Sequence, residues 1–216
     1  MIPTKEEWMN ALNDRHGAIF QEKILSTTVA ICGLGGLGSN IAISLARAGI
    51  GKLILIDFDR VDITNLHRQG YKANQIGMRK TDALQDNLKE INPYLETEIY
   101  TIRLDESNAR NILSGADIIC EAFDNAEEKA NIVNFVLSEM PEKYIVAASG
   151  MAGLGSSDLI KTRKVSGRFY LCGDEVSDVK DGIGLVSTRV MLCAAHQAHA
   201  VLPPHAPRPS QRPWQA

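Results

Sequence analysis

One stretch limits the fold of this chain more than any other: Val29-Ala30-Ile31-Cys32-Gly33-Leu34-Gly35-Gly36-Leu37-Gly38. An apolar run passes straight into a glycine cluster. A periodic segment, Ser39 to Ala48, follows it, and the next apolar run, Lys52 to Ile56, ends on Asp57. The spacing predicts strand, tight turn, helix, strand and acid. Gly33, Gly35, Gly36 and Gly38 permit a turn that side chains would block. They also let phosphate oxygens approach the N–H groups at a helix start. Asp57 stands about 24 residues beyond Gly33, where an acid can meet a ribose hydroxyl. Such a unit binds a nucleotide or dinucleotide without saying which. The competing reading is a glycine-rich turn with no ligand.

The rest of the chain supplies further strands and helices in alternation. Helices are expected over Lys5 to Leu12, with Trp8 and Leu12 on one face, and over Ala18 to Leu25. A long helix runs to Ile91 with Ala83, Leu84, Leu88 and Ile91 on its apolar face. Strands are expected at Glu96 to Ile102, at Asp117 to Cys120 and within Glu142 to Ser149, with Tyr144 to Ala148 as the core of the last, and helices at Ser107 to Leu113 and Ala126 to Ser138. Late strands at Ser156 to Thr162 and Arg168 to Leu171 extend the sheet. A last helix lies within Gly182 to Val201, where Leu185, Met191 and Leu192 suit burial. The fold class is α/β: a Rossmann-like sheet flanked by helices. Residues 1–201 form a single domain, and 44% apolar composition in 216 residues suffices for its core. Residues 202–216, with five prolines, are expected to be a disordered tail.

Charge and cysteine usage narrow the partners. A net charge of -3 with no long basic block argues against nucleic acid. No apolar stretch is long enough to span a membrane, and the N-terminus does not read as a signal peptide. Cys32, Cys120, Cys172 and Cys193 show no C-x-x-C spacing, so no zinc is expected, and a reducing, cytoplasmic setting fits.

Several polar residues exceed the needs of a dinucleotide site. Three acids, Asp57, Asp59 and Asp62, precede Asn65-Leu66-His67-Arg68-Gln69. A triphosphate carries concentrated charge that a guanidinium can grip bidentately, and Arg68 is the candidate. Asn65 can bond a phosphate or ribose oxygen, and Gln69 can do so or hold the loop. Asp59 can bond the ribose or hold Arg68. Lys80 opens a helix, where a cation opposes the dipole, a local cost that makes sense if it reaches an anion. Arg15 is a candidate for the triphosphate, in its own subunit or across a dimer; the alternative is a solvated arginine. Asp124, at the carboxyl end of the fourth strand, is a candidate for Mg²⁺, with helix capping as the competing role for Asp124 or Asn125. His196 and His199 are three apart, but no third ligand accompanies them.

Taken together, Gly33 to Gly38, Asp57-Phe58-Asp59, Asn65 to Gln69, Gly77-x-x-Lys80 and Asp124-Asn125 resemble the ThiF/MoeB/ubiquitin-activating superfamily in order and spacing. The resemblance covers roughly residues 12 to 200, and its last helix, Arg189 to Ala198, is similar to that of the family's short members. It implies adenylation of the C-terminal carboxylate of a small β-grasp protein ending in Gly-Gly. It also implies ATP and Mg²⁺ as ligands and a homodimer. The short members point to the sulfur carrier ThiS of thiazole synthesis for thiamine, with molybdopterin-type carriers as the runner-up. Asp57 would then bind ribose; Asn65, Arg68 and Lys80 the triphosphate; and Asp124 the metal. Arg15 would approach the phosphates from the neighbouring subunit.

Two departures and one open question accompany the resemblance. Longer relatives carry two zinc-binding C-x-x-C pairs and an arginine after the Asp-Asn motif; here Lys129 stands nearby, either supplying charge or merely solvated. Some relatives take the carrier onto a cysteine. Cys172, at the edge of a polar loop, is the candidate, although Asp174 and Glu175 would raise its thiol pKa. The competing classes are an NAD-linked oxidoreductase, for which no acid/base pair stands out, and a non-catalytic binding module.

Overall fold

The computed structural model describes residues 2–202; the proline-rich stretch expected to be a disordered tail lies, apart from Leu202, outside the described residues. Five strands begin the sheet, β1 (Thr28–Cys32), β2 (Lys52–Ile56), β3 (Glu96–Tyr100), β4 (Ile118–Glu121) and β5 (Tyr144–Ala148). Two more complete it, β6 (Lys161–Ser166) and β7 (Phe169–Gly173). The order is β3-β2-β1-β4-β5-β7-β6. Every pairing is parallel except that of β6 with β7.

The chain moves outward from β1 through β2 to β3, then returns to place β4 on the other flank of β1. That reversal opens a crevice at the carboxyl ends of β1 and β4. Strand alternation sends β1 residues to two cores. Val29 and Ile31 join one core with α3 (Gly36–Ala48), α4 (Lys80–Ile91) and α7 (Ser187–Val201). Ala30 and Cys32 join the other with α5 (Glu106–Leu113) and α6 (Ala126–Glu139). Strands buried on both faces need no polar alternation, which is why β1, β2, β4 and β5 read as continuous apolar runs.

The two N-terminal helices are α1 (Lys5–His16) and α2 (Ala18–Leu25). A capping box starts α1: Glu7 N–H donates to Thr4 Oγ1 at 3.2 Å and Thr4 N–H to Glu7 Oε2 at 2.7 Å. Trp8 and Leu12 are half-buried on it, and no residue of α1 is buried outright.

Two expectations are corrected. Ser156 to Thr162 is not a strand: Ser157–Leu159 form a 3-10 turn and β6 starts at Lys161. Ser156 Oγ accepts Asp158 N–H, a local bond that competes with a ladder. Met191 is exposed; the buried face of α7 is Val190, Cys193, Ala194 and Ala198. Residues 190–195 are apolar without a polar break, so apolarity alone does not mark which side of the helix is buried. On the same helix Gln197 is fully buried, its Nε2 donating to Glu121 O at 2.9 Å and Val146 O at 3.4 Å. It ties α7 to two central strands.

Candidate active site

The glycine turn fills the space above β1. Gly33 has φ +91°, and a Cβ there would stand 2.9 Å from Ala122 O. Gly38 meets a harder limit, since its Cβ would lie 1.9 Å from Gly33 O. Only glycine fits at both positions. The turn is pinned from outside by Tyr71, whose hydroxyl donates to Leu34 O at 2.7 Å, and by Leu34 N–H, which donates to Asp57 Oδ2 at 2.6 Å. The first turn of α3 has no side-chain cap, so its leading N–H groups point at the crevice unmet.

A cleft of about 620 Å³ opens there. Gly33, Gly35 and Gly36 line it together with Asp57, Asp59, Arg68, Gln69, Lys80 and Asp124. Phe58, Ile102 and Met151 give it an apolar side. Nine of the residues singled out from sequence thus converge on one cavity of ligand size.

Asp57, Asp59, Arg68 and Lys80 are held in place by bonds to the protein. Lys80 is buried, and its Nζ donates to Asp59 Oδ2 at 2.8 Å. Asp57 accepts N–H groups from Leu34 and Asp59, one on each oxygen, which leaves lone pairs toward the cleft. Burial pushes the Asp57 carboxyl above its usual range, and Lys80 works against that push. Arg68 Nη2 donates to Asn65 Oδ1 at 2.8 Å, so Asn65 aims the guanidinium and does not itself line the cleft. Arg68 Nε and Gln69 Oε1 are buried with no hydrogen-bond partner, which is costly unless a ligand meets them. Asn125, not Asp124, caps α6: its Oδ1 accepts Glu127 N–H at 2.9 Å and Glu128 N–H at 3.1 Å. The Asp124 carboxylate therefore takes no part in the cap and faces the cleft.

Other candidates lie elsewhere. Arg15 is exposed on α1 and does not line the cleft, so the reading within its own subunit does not fit. Cys172, the candidate to take the carrier covalently at the edge of a polar loop, is not accessible. It is fully buried on β7, beneath the loop and not on it, and burial pushes its thiol up to about 11. Thr162 Oγ1, at 3.6 Å from Sγ, only tempers this. His196 Nδ1 is engaged with Thr162 Oγ1 at 2.8 Å, and no group of three metal-ligating side chains occurs among the described residues.

Sequence reasoning missed the partner of Lys129. Its Nζ donates to Glu121 Oε1 and to Phe123 O, both at 2.8 Å. Glu121 closes β4 and is fully buried; burial pushes its carboxyl up while Lys129 holds it down. The pair braces the turn that carries Asp124 over the cleft. The available signal was an acid ending an otherwise apolar strand, eight residues before a helical lysine.

Comparison with known proteins matches this arrangement to one family. The model of the ThiF family matches residues 9–202. The chain belongs to the ThiF family. Among its relatives, the adenylyltransferase and sulfurtransferase MOCS3 of Caenorhabditis briggsae is 42% identical over 115 residues, 53% of this chain and 29% of that one. The adenylyltransferase and sulfurtransferase UBA4 of Vanderwaltozyma polyspora is 30% identical over 185 residues, 78% of this chain and 41% of that one. This ThiF-family chain thus spans well under half the length of those relatives. The structure of E. coli tRNA N6-threonylcarbamoyladenosine dehydratase, TcdA, in complex with ATP has a TM-score of 0.83 at 18% identity. It covers 95% of this chain and 97% of that chain, and it shows that the two share a fold. No helix among the described residues of this family member is long and apolar enough to cross a membrane.

Proposed function

We propose that this ThiF-family chain is an adenylyltransferase that activates the C-terminal Gly-Gly carboxylate of a small β-grasp sulfur carrier. The supporting observation is convergence: uncapped helix N–H groups, buried Lys80 and a guanidinium with a buried, unmet N–H surround one cleft. That is a triphosphate-binding set, and ATP is the nucleotide it suits. The names of the relatives, adenylyltransferase and sulfurtransferase, agree with it.

The reaction needs no side-chain nucleophile. A carboxylate oxygen of the carrier attacks the α-phosphorus of ATP, the bond to the bridging oxygen breaks, and pyrophosphate leaves with that electron pair. An acyl-adenylate remains. What the chain contributes is position and charge. Arg68 and Lys80 face the phosphate oxygens, the α3 N–H groups hold them from below, and Asp57 or Asp59 orients the ribose. One exposed carboxylate suits Mg²⁺, which is usually held by one or two carboxylates plus phosphates, so Asp124 would hold it. When bound it neutralises charge on the departing phosphates.

The carrier most in keeping with the family's short members is ThiS, and the setting cytoplasmic. A homodimer would bring a neighbouring Arg15 toward the phosphates. Molybdopterin-type carriers are the runner-up substrate class within the same chemistry. The test supplies Mg-ATP and a panel of Gly-Gly-ended carriers and reads each intact mass. One added adenylate on ThiS, absent when its last glycine is removed, is the expected result. Adenylation of a molybdopterin-type carrier alone would replace the substrate and keep the mechanism, while no adenylate on any carrier would end the proposal.

A further inference from the structure

Arg189 is buried in the first turn of α7, where a cation opposes the helix dipole. Something other than the helix therefore fixes it. Nη1 donates to Gly155 O at 2.6 Å and Ser156 O at 2.9 Å, and Nη2 donates to the carboxylate of Asp174, itself nearly buried. The free oxygen of that carboxylate, Oδ1, accepts Val176 N–H at 3.0 Å, Ser177 N–H at 2.9 Å and the Ser177 hydroxyl at 3.0 Å. Ser177 Oγ in turn accepts Ala152 N–H at 3.0 Å, and Asp174 N–H donates to Gly150 O at 2.9 Å. The two segments approach so closely that a Cβ on Gly150 would stand 2.0 Å from Asp174 Oδ1. One guanidinium thus draws together the loop after β5 and the loop after β7.

Those loops form the wall between two cavities. Gly150, Ala152, Ser177 and Asp178 line the nucleotide cleft. Ala152, Ser177 and Asp178 also line a second concavity of about 1010 Å³ on the β6 side, into which exposed Leu154, Val176 and Ile183 project. Arg189 borders the second cavity and not the first.

We infer that Arg189 is a positioning residue that holds the wall shared by these two cavities in one shape, and thereby sets the affinity for an extended peptide ending in a carboxylate without touching ATP. The inference rests on the adenylation reading, in which such a tail runs along the shared wall to reach the α-phosphorus. A clamped wall offers the tail a preformed surface. A loosened wall must be ordered anew at each binding event, which weakens the tail's affinity and leaves the chemical step alone.

The test uses the full chain carrying Arg189→Met or Arg189→Lys, with purified ThiS and Mg-ATP. Pyrophosphate release gives KM and kcat, a fluorescent ATP analogue gives nucleotide affinity, and hydrogen exchange is followed in the loops 149–156 and 173–178 and in the turn 33–38. For Arg189→Met the KM for ThiS is expected to rise about tenfold, with kcat and ATP affinity changed by no more than about threefold. Both loops exchange faster and the glycine turn does not. Arg189→Lys, which keeps the charge but gathers its donors on one nitrogen in place of the planar fork, recovers part of the loss. An unchanged KM, a parallel loss of ATP affinity, or faster exchange in the glycine turn overturns the inference. Should Arg189→Met not fold, Asp174→Asn removes the pairing charge with the same expected split. A wild-type chain that adenylates no carrier removes the adenylation reading and this inference together; wild-type turnover with a flat variant KM removes the inference alone.

Discussion

Lys80 Nζ lies 2.8 Å from Asp59 Oδ2 and 3.8 Å from Asp57 Oδ2, with the Lys80 side chain only 7% exposed. A buried ammonium between two carboxylates is a costly arrangement that one arriving triphosphate reorganises. On binding, Lys80 can exchange a contact with Asp59 for phosphate oxygens, while Asp57 stays fixed by Leu34 N–H.

Lys80→Met should therefore act on two quantities. Adenylation, read by ATP–pyrophosphate exchange, should fall by about a hundredfold or more through loss of charge at the phosphates. The melting temperature should fall as well, because Asp57 keeps its burial and loses its cation, a cost of about 3 kcal/mol. A Lys80→Met protein with normal exchange activity would remove Lys80 from the site.

Asp124 and Asn125 should separate cleanly. Asn125→Ala removes the α6 cap and should cost about 1 kcal/mol in a denaturant titration, with activity changed little. Asp124→Ala should leave the titration unmoved and abolish the Mg²⁺ dependence of pyrophosphate exchange. Reversed phenotypes would reassign the two side chains.

Glu121 carries a pH signature. Its unfolded form releases a proton near the ordinary 4.5, and burial makes the folded form hold that proton to higher pH. The native state then binds more protons, so this group's contribution to stability falls as pH rises from 4.5 through the raised folded value. Asp62 and Asp105, held below their usual range by bonds from Thr64 and Ser107, run the other way and lose stability as pH falls. Comparison with Glu121→Gln in denaturant titrations isolates the first effect. The stability difference, variant minus wild type, should grow more positive as pH rises from 4.5. The growth should be at most about 1.4 kcal/mol for each step of one in pH, and it should level off once the folded carboxyl has ionised. A difference constant with pH would contradict it.

All four thiols should resist an aromatic disulfide reagent in the native protein and react once it is denatured. Each is buried, with burial pushing Cys172 to about 11 and Cys193 to about 12. Cys172→Ser should retain adenylation. Rapid labelling of Cys172 in the folded chain would restore it as a candidate nucleophile.

Gly38→Ala should fail to give a folded protein, since the new Cβ meets the backbone oxygen of Gly33 and neither side can yield. Soluble protein with a wild-type melting curve would contradict that contact.

Local chemistry made most of the sheet legible. Val29 to Cys32, Lys52 to Ile56 and Tyr144 to Ala148 are buried on both faces, and runs of that kind leave a mark that does not depend on neighbours. The cleft residues were legible for a related reason, as cations and acids clustered at strand ends stand out against an apolar background. What escaped depends on partners distant in sequence. Arg189 reads as a solvated cation until the loops holding Gly155 and Asp174 are seen folded against it. Cys172 reads as a loop residue because Gly173-Asp174 follows it, although β7 runs through Gly173 and its pairing with β5 is nonlocal. Lys129 needed Glu121 beside it, and Met191 needed to be seen facing away from α3.

The double hydrogen bond of Gln197 makes the docking of α7 a long-range event. Its amide closes onto carbonyls of Glu121 and Val146, 76 and 51 residues earlier in the chain. Strands β1 to β5 precede α7 in the chain, and the face of the sheet beneath α7 stays open until that helix docks. Long-range closure of this kind slows folding and leaves apolar surface uncovered meanwhile. Arg189 sits at the start of the same helix, so the wall beside the nucleotide cleft is completed only then. A chain ending before Arg189 would thus carry nearly every nucleotide-facing side chain and still lack the clamp on that wall.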